Sequence, residues 1–238
     1  MNNKTIDKEL QISKTLWSLG GADNTWEKQQ QYANFYEFVV TPIWLKSEGI
    51  EHLPELGDAN WKEHIDIRFW RPGVNDVHTC DVKAPRKGPK GMFVGVNEFT
   101  NDICVEYINK NGDPGSLEGK QDWSFYYVVD DYEYYLVGIK QSTLRAWVDS
   151  LIASGKVSSP DKVENMSERA KTHRGDMYYR WYRTPGDEDS FMFVPFPDIL
   201  DSGVVYFTRN VTDCVRQAYD LMMANGGVSY LKTFKYQN

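Results

Sequence analysis

The sequence predicts an α+β fold, a mixed β-sheet flanked by helices and begun by an antiparallel hairpin. Two observations carry this. Apolar residues recur at helical spacing in three well-separated segments, and the stretches between them are short runs rich in aromatic and β-branched residues, bounded by turn signals. With 238 residues and a hydrophobic share of 41%, the chain can bury one sizeable core. A single domain over residues 1–238 is therefore expected, with a C-terminal helical extension from about residue 205.

The elements follow in chain order. In "NTWEKQQQYANFYEFVVTPIW" Asn24 can cap a helix with Glu27 three residues on, and Tyr32, Phe35, Tyr36, Val39 and Val40 fall on one face. Pro42 is expected to end it, and "LKSEGIEHLPELGD" to be a loop. In "WKEHIDIRFWRPGVNDVHTCDVKAP", Ile65, Ile67 and Phe69 alternate with His64, Asp66 and Arg68 before a Pro-Gly turn, which reads as a hairpin. "DICVEYIN" reads as a third strand, and "WSFYYVV" and "YEYYLVGI" as two more, joined by "DDY". "KQSTLRAWVDSLIASG" gives a helix capped by Ser142 or Thr143 and stopped by Gly155. A second hairpin is expected around "TPGDED", and a last amphipathic helix, "TDCVRQAYDLMMAN", ends at Gly226 and Gly227.

Composition excludes several classes. No apolar run approaches the roughly 20 residues of a membrane span, and the first residues lack the apolar stretch of a signal peptide, so a soluble cytoplasmic protein is expected. Cys80, Cys104 and Cys214 are unclustered, and the four histidines lack H-x-x-x-H spacing, which argues against a disulfide framework and a zinc site. There is no P-loop and no G-x-S-x-G elbow. The net charge of −7 opposes bulk coating of nucleic acid, yet an enzyme acting on nucleic acid needs positive potential only along its groove.

The hairpin carries the chemistry. Side chains alternate along a strand, so Asp81 and Lys83 share one face while Cys80 and Val82 turn to the core. A turn centred near Gly73 places Asp66 across from Asp81, or diagonal to it, on the same face. Like charges so placed destabilise a sheet unless something compensates. A divalent cation would: Mg²⁺ (or Mn²⁺) takes hard oxygen ligands, and Asp66, Asp81 and the Val82 carbonyl, with phosphate oxygens, suit it. Lys83 would orient or deprotonate the attacking water and stabilise charge building on phosphorus. The loop "KAPRKGPKG" adds Arg86, Lys87 and Lys90, a cluster of cations that can hold phosphates. In "RAKTHRGDMYYRWYR", cations including Arg174 and Arg180 interleave with Tyr178, Tyr179, Trp181 and Tyr182, a composition that fits a groove for nucleic acid as well as an ordinary strand with one wet face.

Asp66, a turn, and then Asp81-Val82-Lys83 at the end of the next strand resemble the PD-(D/E)XK nuclease superfamily. Over residues 60 to about 200 the order of a V-E-[hydrophobic]-x-N strand, a Gly-rich turn and a G-x-x-D strand is similar to small phage-encoded proteins of that superfamily. The resemblance implies a restriction-endonuclease-like mixed sheet, with Asp66 and Asp81 as metal ligands and Lys83 as the catalytic lysine. It also implies a further acid from the N-terminal helix, for which Glu37 is the candidate, and Glu106 in the third strand is another. The expected function is a Mg²⁺-dependent DNA endonuclease or exonuclease working by attack of activated water. Its partner is DNA, with a homodimer or virion proteins as further partners, and it acts in the host-cell cytoplasm or in the virion. The alternative is a non-catalytic virion-associated or nucleic-acid-binding module that keeps the fold.

Overall fold

The computed structural model describes residues 3–19, 26–55, 57–85, 101–109, 111–130, 132–160, 163–165, 179–183 and 188–234. The chain opens with helices α1 (Asn3–Leu19) and α2 (Trp26–Phe35), a π-helical stretch (Tyr36–Val40) and α3 (Thr41–Ser47). Next come β1 (Glu51–Pro54), α4 (Asp58–Glu63), β2 (Ile67–Trp70), β3 (His78–Lys83) and β4 (Asp102–Ile108). A 3₁₀ turn (Ser116–Glu118) precedes β5 (Trp123–Asp130), β6 (Glu133–Lys140) and α5 (Gln141–Ala153). The remainder is β7 (Glu164–Asn165), β8 (Trp181–Arg183), β9 (Ser190–Pro195), α6 (Phe196–Asp201), β10 (Val205–Asn210), α7 (Thr212–Ala224) and α8 (Val228–Leu231).

The main sheet runs β1-β2-β3-β5-β6-β10, and a second sheet runs β4-β9-β8-β7. All neighbours in the main sheet are antiparallel except β3 and β5, which are parallel. This is the expected α+β fold with a mixed sheet flanked by helices. Alternation along the strands separates two cores. Ile67, Phe69, Cys80, Val82, Phe125, Tyr127 and Val129 face the helical layer, meeting Phe35, Tyr36, Val40 and Leu45 together with Val215 and Met222 of α7. Tyr126, Val128, Val137 and Ile139 face the other way, onto β4, β9 and α5 through Val105, Met192, Leu144 and Val148.

Several expectations need correction. Pro42 does not end the first helical run: helical backbone continues through it into α3, in whose first turn it sits. The turn before it widens instead, so that the Thr41 N–H and hydroxyl both donate to the Tyr36 carbonyl. The expected loop from Leu45 to Asp58 contains the end of α3 and strand β1, which pairs with β2, and the short helix α4 follows it. The third strand does not join the hairpin's sheet, because β4 pairs with β9. Helix α5 begins at Gln141 without a side-chain cap from Ser142 or Thr143. Residues 205–210, expected within a helical extension, are a strand paired with β6, and α7 packs into the core. Helix α1 was not anticipated, and the Asn24 cap lies outside the described residues. The second hairpin, the stop at Gly155 (φ 72°) and the last helix agree with expectation.

Candidate metal and phosphodiester site

The expected hairpin register holds: Ile67 lies opposite Cys80, Arg68 opposite Thr79 and Phe69 opposite His78. The ladder stops at Ile67, and Asp66 closes it with its side chain. Its main-chain N–H donates to the Cys80 carbonyl (2.8 Å) and its carbonyl accepts from the Glu55 N–H (2.7 Å). The Val82 N–H donates to Asp66 Oδ2 (2.6 Å), and Asn60 Nδ2 donates to Oδ1 (2.7 Å). An extended residue turns its N–H and C=O to the same edge, so the Val82 carbonyl faces the gap beside Asp66.

Asp81 projects to the opposite face from Cys80 and Val82. Lys83 Nζ lies 3.0 Å from Asp81 Oδ1, while Asp81 Oδ2 is buried with no hydrogen-bond partner. Lys83, expected on the solvent-facing side, is only 29% exposed, because that face is covered by a second layer rather than by water. Asp66 and Asp81 are 6% and 2% exposed.

Glu37 comes from the helical side. It is buried (6% exposed) within the π-helical stretch, a local widening found often at functional sites. Glu106 comes from β4; its Oε2 lies 3.4 Å from the Ser116 N–H, and Gly115 packs so closely on it that a Cβ there would meet the Glu106 carbonyl at 2.7 Å. Glu37, Asp66, Asp81, Lys83 and Glu106 thus form one electrostatic group. Burial, then Glu37 and Asp81, hold the Asp66 carboxyl well above the ordinary range, against the opposing influence of Lys83 and the Val82 N–H. Burial alone would push Lys83 down, but Asp81, Glu106 and Asp66 outweigh it and hold it above its usual value. Lys83 therefore stands beside Asp81 as a charged ammonium donor.

Asn60 was missed: it fixes Asp66 from α4, a helix with no counterpart in the sequence reading. Its six-residue separation from Asp66 is no recognisable signal. Tyr126 was also missed. It pairs in register with Lys83, and its hydroxyl is raised by burial first and then by Asp81. Arg86, Lys87, Lys90 and Arg174 lie outside the described residues. Arg180 is half-buried immediately before β8, away from the main sheet's strands. Trp181 and Tyr182 are fully buried and cannot stack on bases; Trp181 joins the second core and Tyr182 stacks on Phe193.

Among the described residues no three or more His, Cys, Asp or Glu side chains are grouped to hold a metal ion. The candidate donors on these adjacent strand positions are nevertheless hard oxygens: the unpartnered Asp81 Oδ2, the second lone pairs of Asp66 and the Val82 carbonyl. Two carboxylates and a carbonyl fit a cation such as Mg²⁺, which completes its shell with water and phosphate oxygens.

The charge arrangement makes a stability prediction. Asp66 has a folded pKa above its unfolded value, so its favourable contribution is complete below about pH 4 and is lost as pH rises through the folded value. In urea denaturation across pH, wild type should lose stability over that window relative to Asp66→Asn, so that the two curves diverge toward neutral pH. Parallel curves would mean that Asp66 imposes no such penalty.

Among the described residues no helix is long and apolar enough to cross a membrane. Comparisons with protein-family models, with curated proteins and with solved structures each find no match for this chain.

Proposed function

We propose that this chain is a divalent-metal-dependent phosphodiesterase that cleaves DNA, an endonuclease or exonuclease of the PD-(D/E)XK type. One observation carries the reading: the Asp66 and Asp81 carboxylates are buried together beside a protonated lysine, with one Asp81 oxygen lacking any hydrogen-bond partner. An unpaired buried carboxylate oxygen is costly, and a protein retains such a group where a ligand satisfies it.

Asp66, Asp81 and the Val82 carbonyl would hold Mg²⁺ or Mn²⁺. The cation, when bound, supplies Lewis-acid neutralisation of the phosphate and lowers the pKa of water. Lys83 supplies a fixed positive donor to a phosphoryl oxygen and stabilises the charge that develops there. Its protonated state gives it an orienting and electrostatic role. Glu37 completes the acidic set from the helical side and Glu106 from the second sheet. Positive charges close behind Lys83 in the chain, at Arg86, Lys87 and Lys90, would hold flanking phosphates, with Arg174 and Arg180 as further contacts. A homodimer would suit double-strand cleavage, and the setting would be the host-cell cytoplasm or the virion.

A specific observation favours a second reading, a non-catalytic nucleic-acid-binding or virion-associated module. Both Asp66 oxygens and Asp81 Oδ1 already have protein partners, as in a closed structural network. The test is incubation of wild-type protein with linear, circular and single-stranded DNA in Mg²⁺ or Mn²⁺. Cleavage that stops on adding a chelator supports the hydrolytic reading; intact DNA in every condition supports the module.

A further inference from the structure

A cavity of about 550 Å³ lies at the end of the main sheet opposite Lys83, walled by Trp44, Phe69, Trp70, Trp123, Tyr206 and Phe207. It touches His78, the first residue of β3, whereas Lys83 is the last, about 17 Å away at some 3.3 Å per residue. The hydrolytic site does not use it.

Two features restrict what it takes. Tyr206 is 66% exposed and meets Trp123 edge-on, with centroids 5.0 Å apart, so a large aromatic surface is left open at the rim. The rim is also cationic. Lys140 Nζ stands 5.7 Å from the Trp123 ring and 5.2 Å from the Tyr206 ring, the Arg209 guanidinium stands 5.5 Å from the Phe207 ring, and Arg71 lines the opening. Of the acidic residues there, Asp76 lies 3.5 Å from His78, and Glu48 is solvated at the edge.

Aromatic faces stack on any planar ring, and cations at the rim suit a phosphate. A quaternary ammonium would use the faces but would meet three like charges. An aliphatic chain would leave the cations unanswered. A nucleotide answers both, because it joins a planar base to a phosphate.

We infer that this cavity holds one unpaired base of a single-stranded nucleic acid, stacked against Trp123 and Tyr206, with an adjacent phosphate on Lys140, Arg71 or Arg209. The three cations lie on separate elements around one opening, as suits a backbone passing across it rather than a single terminal phosphate. The site needs neither a divalent cation nor cleavage.

The experiment is a fluorescence-anisotropy titration of the full chain with a labelled oligothymidylate in EDTA, where metal-dependent hydrolysis is silent. Failure here leaves the hydrolytic reading untouched, and the reverse also holds. Wild type should bind with quenching of tryptophan fluorescence, and Trp123→Ala and Tyr206→Ala should each weaken binding by about tenfold. Tyr206 is mostly exposed, so its variant keeps the fold if Trp123→Ala does not. Equal affinity in wild type and Tyr206→Ala, or no binding, would overturn the inference. Displacement of the strand by thymidine monophosphate at a similar nucleotide concentration would also overturn it, by making this a free-nucleotide site.

Discussion

Lys83→Ala is expected to destabilise the folded protein by about 3 kcal/mol at neutral pH, the scale seen when one partner of a buried ion pair is removed. Lys83 is the cation beside Asp81 at 3.0 Å, and its positive charge also acts on Asp66 and Glu106. Without it, Asp81 stays buried with neither oxygen paired to the lysine, and the Asp66 carboxyl loses one of the two influences that hold it down. The folded pKa of Asp66 then rises further above its unfolded value. The deficit relative to wild type should therefore be small near pH 4 and grow as pH rises. Asp81→Asn in the Lys83→Ala background should recover much of the loss, since it removes the stranded charge. Urea denaturation of wild type, Lys83→Ala, Asp81→Asn and the double variant across pH measures this. A deficit below about 0.5 kcal/mol at all pH values would mean that Lys83 is effectively solvated, as a strand-end lysine normally is.

The second large effect concerns divalent cations. Buried carboxylates that repel one another in the free protein are relieved when a cation binds the folded state alone, so Mg²⁺ or Mn²⁺ should raise the unfolding temperature. At a hundredfold excess over the dissociation constant the gain is about 2.7 kcal/mol, or roughly 5–10 °C for a chain of this size. Asp81→Asn should be more stable than expected for a buried substitution yet lose most of the cation response, because Asp81 Oδ2 is the oxygen that lacks a protein partner. Equal shifts in wild type and Asp81→Asn would place cation binding elsewhere on the chain.

Much of this site was legible in the sequence because it rests on local geometry. Alternation through "HIDIRFW" and "VHTCDVK" and the Pro-Gly turn between them suffice to place Asp66 beside Asp81 and Lys83, and Ile67 opposite Cys80 bears the register out. Glu37 was named because the resemblance implies an acid from the N-terminal helix; helical periodicity only placed it in a helix before Pro42. Its π-helical setting was not accessible, because the widening depends on how the Tyr36 carbonyl meets Thr41 ahead of a proline. The burial of Lys83 was invisible for a different reason. Its face is covered by β4 and β9, which pair across more than eighty intervening positions, and no local pattern reports such a partner. The same holds for the aromatic cavity, where α3, β2, β5 and β10 each contribute residues that read singly as core or surface. Trp181 and Tyr182 failed in the opposite sense: a cationic and aromatic composition looked like a groove, but β8 turns both rings inward.

The central claim is that Asp66, Asp81 and Lys83 form a hydrolytic centre for phosphodiesters. DNA cleavage by wild type, Asp66→Asn, Asp81→Asn and Lys83→Gln, in Mg²⁺ or Mn²⁺ and at a pH where each variant is folded by circular dichroism, tests it most directly. The account predicts cleavage by wild type and a loss of about 10³-fold or more in each folded variant. Cleavage that persists in folded Asp81→Asn and Lys83→Gln would contradict it.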